Sequence, residues 1–192
     1  VWCDAVLFDM DGTLVDTEGL WWECVALVAA EFGVPLGEAD VPHVYGRTIA
    51  DTAAYLAPGD AAPVADRLGE EFDLRVAAGV ELLPGALELL AELGDAGIPT
   101  ALVSASPRSV VDRVLPLLDG HEFKTTVADG ETARGKPHAD PYVEAVARLG
   151  VVAARCVAVE DSPTGIAAAR AAGCRVFEVR HGRLPTLREL AD

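Results

Sequence analysis

The chain has 192 residues, 51% apolar and 24% charged, which suits one globular unit or a core domain with a modest insert and excludes a disordered chain. Its 31 acidic residues outnumber 15 basic ones for a net charge of −16, which argues against nucleic acid or an anionic membrane as a main partner. The scattered cysteines Cys3, Cys24, Cys156 and Cys174 fit neither a disulfide frame nor a zinc site, and no apolar stretch approaches the roughly 20 residues of a membrane span, so the chain is expected to be cytoplasmic with reduced thiols.

The first predicted element is the short strand Ala5–Asp9, and it delivers two carboxylates, Asp9 and Asp11, two residues apart. Side chains at that spacing on an extended chain face the same way, and Gly12 then lets the chain turn off. Two acids held together at a strand end are costly unless a cation or an acid/base task uses them. The arrangement suits a Mg²⁺ site with a carboxylate nucleophile.

From Thr17 to Leu83 the pattern is helical, with no strand expected. Trp21, Val25, Val28 and Phe32 form an amphipathic stripe, and Asp51–Leu56 and Ala65–Ala78 continue the helices. Joints fall at Gly33–Pro35, Pro58–Gly59 and Pro84–Gly85. This stretch reads as a helical cap domain, residues 17–83, inserted into a core made of residues 1–16 and 84–192.

Beyond it strands alternate with helices: Gly85–Ala96, strand Pro99–Ser104, Arg108–Leu118, strand Thr125–Asp129, Pro141–Leu149, strand Cys156–Asp161, Pro163–Ala172 and strand Arg175–Val179. The alternation predicts an α/β fold, a Rossmann-like doubly wound parallel sheet. Ligands of such sheets bind beyond the carboxyl ends of the strands, where Asp9, Asp11, Ser104, Ser106, Glu160 and Asp161 are expected to gather. Ser162 and Pro163 are suited to start the last helix, whose N-terminus favours an anion at the same place. Only two of the fifteen basic residues are lysines, Lys124 and Lys136. His43, His121, His138 and His181 are scattered, and no catalytic role is expected of them.

Four segments in this order resemble the haloacid dehalogenase superfamily of phosphatases, in the subclass with a small helical cap after the first motif (β-phosphoglucomutase-like or phosphoglycolate phosphatase-like). They are Asp9-Met-Asp-Gly-Thr13, Ser104 closing Ala101-Leu-Val-Ser104, Lys136 in Gly-Lys-Pro-His-Ala-Asp-Pro-Tyr142, and Glu160-Asp-Ser-Pro-Thr-Gly165. The resemblance covers essentially the whole chain. It implies that Asp9 attacks phosphorus to form an aspartyl-phosphate, and that Asp11 protonates the leaving oxygen and then deprotonates water. It also implies Mg²⁺ held by Asp9, Asp11 (through its main-chain carbonyl) and Asp161, with Glu160 supporting it directly or through water. Ser104 and Lys136 would hold the phosphoryl oxygens, with Gly12, Thr13, Ala105 and Ser106 beside them. Gly46-Arg47-Thr48 resembles the cap loop that faces substrate, so Arg47 joins the expected substrate-binding residues; the Trp21 stripe favours cap packing over pocket lining.

Departures from the family pattern sort its chemistries. Dehalogenases resemble the fold but lack the acid that Asp11 supplies here. Phosphonate cleavage needs a cap lysine, and the cap has none. Phosphomutases of the β-phosphoglucomutase kind carry a cap histidine where this chain has Trp21. Hydrolysis of a small phosphate monoester, such as a sugar phosphate, is the expected activity, by a monomer or weak homodimer. A sugar phosphomutase, or a phospho-accepting signalling or scaffold domain, is the alternative.

Overall fold

A computed structural model describes residues 2–191. Five parallel strands form the central sheet: β1 (Ala5–Phe8), β4 (Thr100–Val103), β5 (Thr125–Val127), β6 (Cys156–Glu160) and β7 (Arg175–Glu178), in the spatial order β5-β4-β1-β6-β7. The chain steps outward from β1 through β4 to β5, then crosses back to β6 and β7. The order therefore reverses at β1, the topological switch point where such sheets hold ligands. Strand alternation splits β1 between two cores. Val6 and Phe8 pack with Leu102, Val157 and Val159 on one face, while Ala5 and Leu7 pack with Ala101, Val127 and Ala158 on the other. Burying Leu7 and Phe8 stabilises the fold by about 1.5–3 kcal/mol each.

Helices α5 (Ala86–Asp95), α6 (Arg108–Val114), α7 (Asp140–Leu149) and α8 (Pro163–Ala171) connect the strands. The buried residues of α5 and α6 join the core of Phe8, whereas Tyr142 and Ala145 of α7 and Ala168 of α8 join that of Leu7. The strands stop one or two residues short of their predicted carboxyl ends. Asp9, Ser104 and Asp161 lie just past the strand ends, at the edge where the site forms. Helix α6 likewise ends before Leu118: Leu115–Leu117 is a 3₁₀ turn, because Pro116 has no N–H to continue an α-helical ladder.

Between β1 and α5 lie α1 (Glu18–Glu31), α2 (Val41–Val44), α3 (Ile49–Leu56) and α4 (Ala62–Ala78). The expected absence of strands in this stretch needs correcting, since β3 (Glu81–Leu82) pairs antiparallel with β2 (Val15–Asp16). Two residues are too few to show a period. This ribbon carries the chain out of the sheet and back. The stripe on α1 also needs correcting: Trp21, Val25 and Val28 are buried, together with Cys24 and Ala29, but Phe32 is 46% exposed. The helix ends at Glu31, so Phe32 has left its period. Trp21 meets Phe72 of α4 edge to face at 5.1 Å, and its indole N–H donates to the Val44 carbonyl at 2.9 Å.

Candidate active site

Asp9 directly follows β1, and its amide donates to the Val159 carbonyl of β6 at 3.0 Å. The next residues form a tight turn, with the Gly12 amide bonded to the Val15 carbonyl at 2.8 Å. Gly12 has φ +76°, and a side chain there would collide with the Asp161 carboxylate. Glycine is therefore required both by conformation and by the close approach of the loop after β6. The Thr13 hydroxyl donates to Asp161 Oδ1 at 3.4 Å.

Asp9 and Asp11 end up with different partners. Lys136 Nζ donates to Asp9 Oδ1 at 2.5 Å and to Glu160 Oε1 at 2.5 Å. All three side chains are buried, Glu160 with 0% exposure. Asp11 Oδ1 accepts the Thr17 hydroxyl at 2.7 Å, and Oδ2 accepts the hydroxyls of Ser104 at 3.1 Å and Ser106 at 2.9 Å. The Ser106 amide in turn donates to Ser104 Oγ at 2.9 Å, bracing the loop after β4, which the two serine hydroxyls tie to Asp11 of the first motif.

Glu160 is saturated by protein donors. Its Oε1 accepts Lys136 and the Tyr142 hydroxyl, the latter at 2.9 Å. Its Oε2 accepts the Asp161 amide at 3.1 Å and the Ser162 amide and hydroxyl, each at 3.2 Å. Five donors exceed the roughly four lone-pair sites of a carboxylate. A side chain at Gly165 would overlap this carboxylate, so α8 comes close only because that residue is glycine. Ser162 caps α8 as expected, accepting the Gly165 amide at 3.1 Å.

Carboxylate oxygens of Asp9, Glu160 and Asp161 all lie within 4.8 Å of one another. Burial and the neighbouring Glu160 push the Asp9 carboxyl well above the usual range, against the pull of Lys136. Burial, then Glu160 and Glu18, push Asp161 to about 7. Burial works against the charge of Lys136, but Asp9 and Glu160 outweigh it and hold its pKa above the ordinary lysine range. The cluster is rich in oxygen donors and short of positive charge, which is the donor set a hard divalent cation prefers.

Over this floor lies a cavity, walled on the cap side by Glu18, Trp21, Tyr45, Gly46, Arg47, Ile49 and Phe72. Asp9, Asp11, Ala105, Ser106, Lys136 and Asp161 face it from the core side. Gly12, Thr13, Ser104 and Glu160 stand behind that lining. Trp21 does both things the sequence set against each other, packing the cap and lining the cavity; Trp22 stays outside and stacks on Tyr45 at 5.9 Å. The cap loop rests on the core, since the Thr164 hydroxyl donates to the Gly46 carbonyl at 2.9 Å. Thr17, Glu18 and Tyr142 were not anticipated as part of the site. Closeness to the Asp9-to-Thr13 motif was a usable signal for the first two; Tyr142 closes the third matching segment, but no role was expected of it.

A parallel sheet whose switch point carries a carboxylate cluster under a helical lid defines a capped α/β hydrolase. The family model described as haloacid dehalogenase-like hydrolase matches residues 6–179. Hexitol phosphatase B of Escherichia coli K12 is 34% identical over 184 residues, covering 91% of this chain and 82% of that protein. The bifunctional riboflavin kinase/FMN phosphatase of Arabidopsis thaliana is 31% identical over 181 residues, and the chain spans 48% of its length. The crystal structure of CbbY from Rhodobacter sphaeroides in complex with phosphate superposes with a TM-score of 0.81 at 27% identity, covering 99% of this chain and 96% of that one. The chain belongs to the haloacid dehalogenase-like hydrolases, in the cap-bearing subclass, and is a phosphoric monoester hydrolase.

Proposed function

We propose that this enzyme is a Mg²⁺-dependent phosphatase of small sugar or polyol phosphates, working through an aspartyl-phosphate on Asp9. The observation that carries this reading is the pairing of the buried Asp9 carboxylate with the Lys136 ammonium at 2.5 Å, on the floor of a cavity that Asp11 also faces. In the first step an Asp9 oxygen bonds to phosphorus, the ester P–O bond breaks, and Asp11 gives the departing alkoxide its proton. In the second, water attacks phosphorus, Asp11 takes the water proton, and the Asp9–phosphorus bond breaks. Lys136 opposes the charge on the phosphoryl oxygens, with Ser106 and Ala105 beside it. Ser104, set behind the lining with its hydroxyl on Asp11, would reach a phosphoryl oxygen only by releasing that bond, and Gly12 and Thr13 support the turn behind it.

Asp9, Asp161 and the main-chain carbonyl of Asp11 are the residues that would hold Mg²⁺, with Glu160 supporting them from behind. The raised proton affinities of Asp9 and Asp161 fit a site built to share its charge with a cation. When bound, the ion would supply positive charge against the carboxylates and the transferring phosphoryl group.

The cap, proposed as residues 17–83, supports this substrate class. Trp21, Tyr45 and Phe72 offer apolar faces to the C–H side of a sugar or polyol, while Glu18 and Arg47 offer an acceptor and donors for its hydroxyls. Relatives named for hexitols and for phosphorylated carbohydrates support that class. A phosphomutase is disfavoured because Trp21, where such enzymes carry a histidine, has spent its only N–H on Val44. No described helix is long and apolar enough to cross a membrane; the four free, buried thiols favour a cytoplasmic enzyme, and a monomer or weak homodimer is proposed.

The test is phosphate release from sugar, polyol and nucleotide monophosphates with Mg²⁺, beside Asp9→Asn. Metal-dependent release confined to the unsubstituted enzyme is expected. Release that survives Asp9→Asn removes Asp9 as the nucleophile.

A further inference from the structure

Tyr142 lies on α7, and no step of the proposed mechanism uses it, yet the buried network ends on it. Its ring is fully buried against the core of Leu7. Its hydroxyl shares Glu160 Oε1 with Lys136, and the Lys136 nitrogen lies 5.4 Å from its ring centroid. An ammonium has three protons. Asp9 and Glu160 take two of them, which leaves one for a phosphoryl oxygen.

We propose that Tyr142 is a positioning residue: through Glu160 it aims the remaining N–H of Lys136 at the transferring phosphoryl group. This rests on the phosphatase reading. The Asp161 and Ser162 donors pin Oε2 and so set the plane of the Glu160 carboxylate. At Oε1 the balance is between two donors. The phenol draws off part of the carboxylate charge, so the ammonium is held without being captured. With the phenol removed, Oε1 has a single partner inside a site of low dielectric, where a bare lone pair is costly. The ammonium is then drawn toward Glu160 and away from Asp9 and the incoming phosphoryl oxygens. The loss falls on the transition state, in which those oxygens carry the charge being opposed. A tyrosine that merely satisfied its own hydroxyl would affect stability and leave this discrimination unchanged.

Tyr142→Phe removes the hydroxyl and keeps the ring beneath Lys136. The expected result is a kcat about tenfold lower with KM within about twofold, the pattern of an interaction made in the transition state. With Mg²⁺ present, calorimetric affinity for orthovanadate, which mimics the transferring group, is expected to fall about tenfold, and that for inorganic phosphate about twofold at most. In a Lys136→Met background the same substitution is expected to cost nothing further, because the hydroxyl acts through that lysine. Unchanged kcat, equal losses for vanadate and phosphate, or a full additional loss without Lys136 overturns the proposal. A variant already molten at the assay temperature overturns it in favour of a structural role. An unsubstituted enzyme that hydrolyses no monoester and binds neither anion overturns the phosphatase reading itself, a result distinguishable from all of these.

Discussion

The Thr17 hydroxyl donates to Asp11 Oδ1 at 2.7 Å, joining the first residue after the β2 hinge to the second carboxylate of the first motif. Thr17 is buried, and α1 begins at the next residue. The orientation of Asp11 is therefore tied to where the cap helix starts. Thr17→Val keeps the shape and removes the donor. Turnover is expected to fall about tenfold through loss of orientation with the melting temperature nearly unchanged. Steady-state kinetics beside a thermal melt checks this, and equal turnover would make the bond incidental.

Gly165 is where helix α8 meets Glu160. A Cβ there would overlap the Glu160 carboxylate, whose five donors leave it no room to retreat. Gly165→Ala is expected to destabilise by about 1–3 kcal/mol, as overpacking does. At about 2–4 °C per kcal/mol for a chain of this size, calorimetry will resolve it. A variant as stable as the parent would show that the loop after β6 yields easily.

The acidic cluster gives a pH dependence of definite sign. Asp161 is raised from 3.8 to about 7 by burial and then by Glu160 and Glu18, so between those values the folded protein holds a proton that the unfolded chain has released. The stability contributed by that proton is fully present below about pH 4 and is lost as pH rises through about 7. Asp9, raised for the same leading cause, acts in the same direction. Since Mg²⁺ must displace these protons, its affinity is expected to grow as pH rises toward 7 and then to level off. Melting with and without Mg²⁺ at pH 5.5 and 8 measures this. A larger Mg²⁺-induced shift at the lower pH would contradict it.

Arg47 is exposed at the cavity mouth, with Nε donating to the Pro42 carbonyl at 3.4 Å. Arg47→Ala is expected to raise KM for sugar phosphates by roughly threefold to tenfold, about the worth of one hydrogen bond at a wet site. Hydrolysis of a generic aryl phosphate, which has no hydroxyls to offer, should change less than twofold. Equal effects on both would remove Arg47 from substrate recognition.

The sequence by itself determined the parallel sheet and the helical insert, because short continuous apolar runs such as Ala5–Phe8, alternating with runs of ten or so helical residues, are local signals that packing did not overrule. It also marked Asp9, Asp11 and Asp161, since each strand of such a sheet delivers its last residues to one edge, whereas Lys136, nine residues beyond β5, was marked only by the resemblance of its segment to the family motif. Only the tertiary structure separated the partners of Asp9 and Asp11, which two-residue spacing alone would have sent to one place. It likewise decided the five-donor environment of Glu160, the arrival of Tyr142 from α7, and the meeting of Glu18, Trp21 and Phe72 over the site. Those contacts join residues far apart in the chain, and their distances depend on how α7, α8 and the cap helices seat against the sheet. No local pattern encodes that seating; it is the outcome of filling both faces of β1 at once.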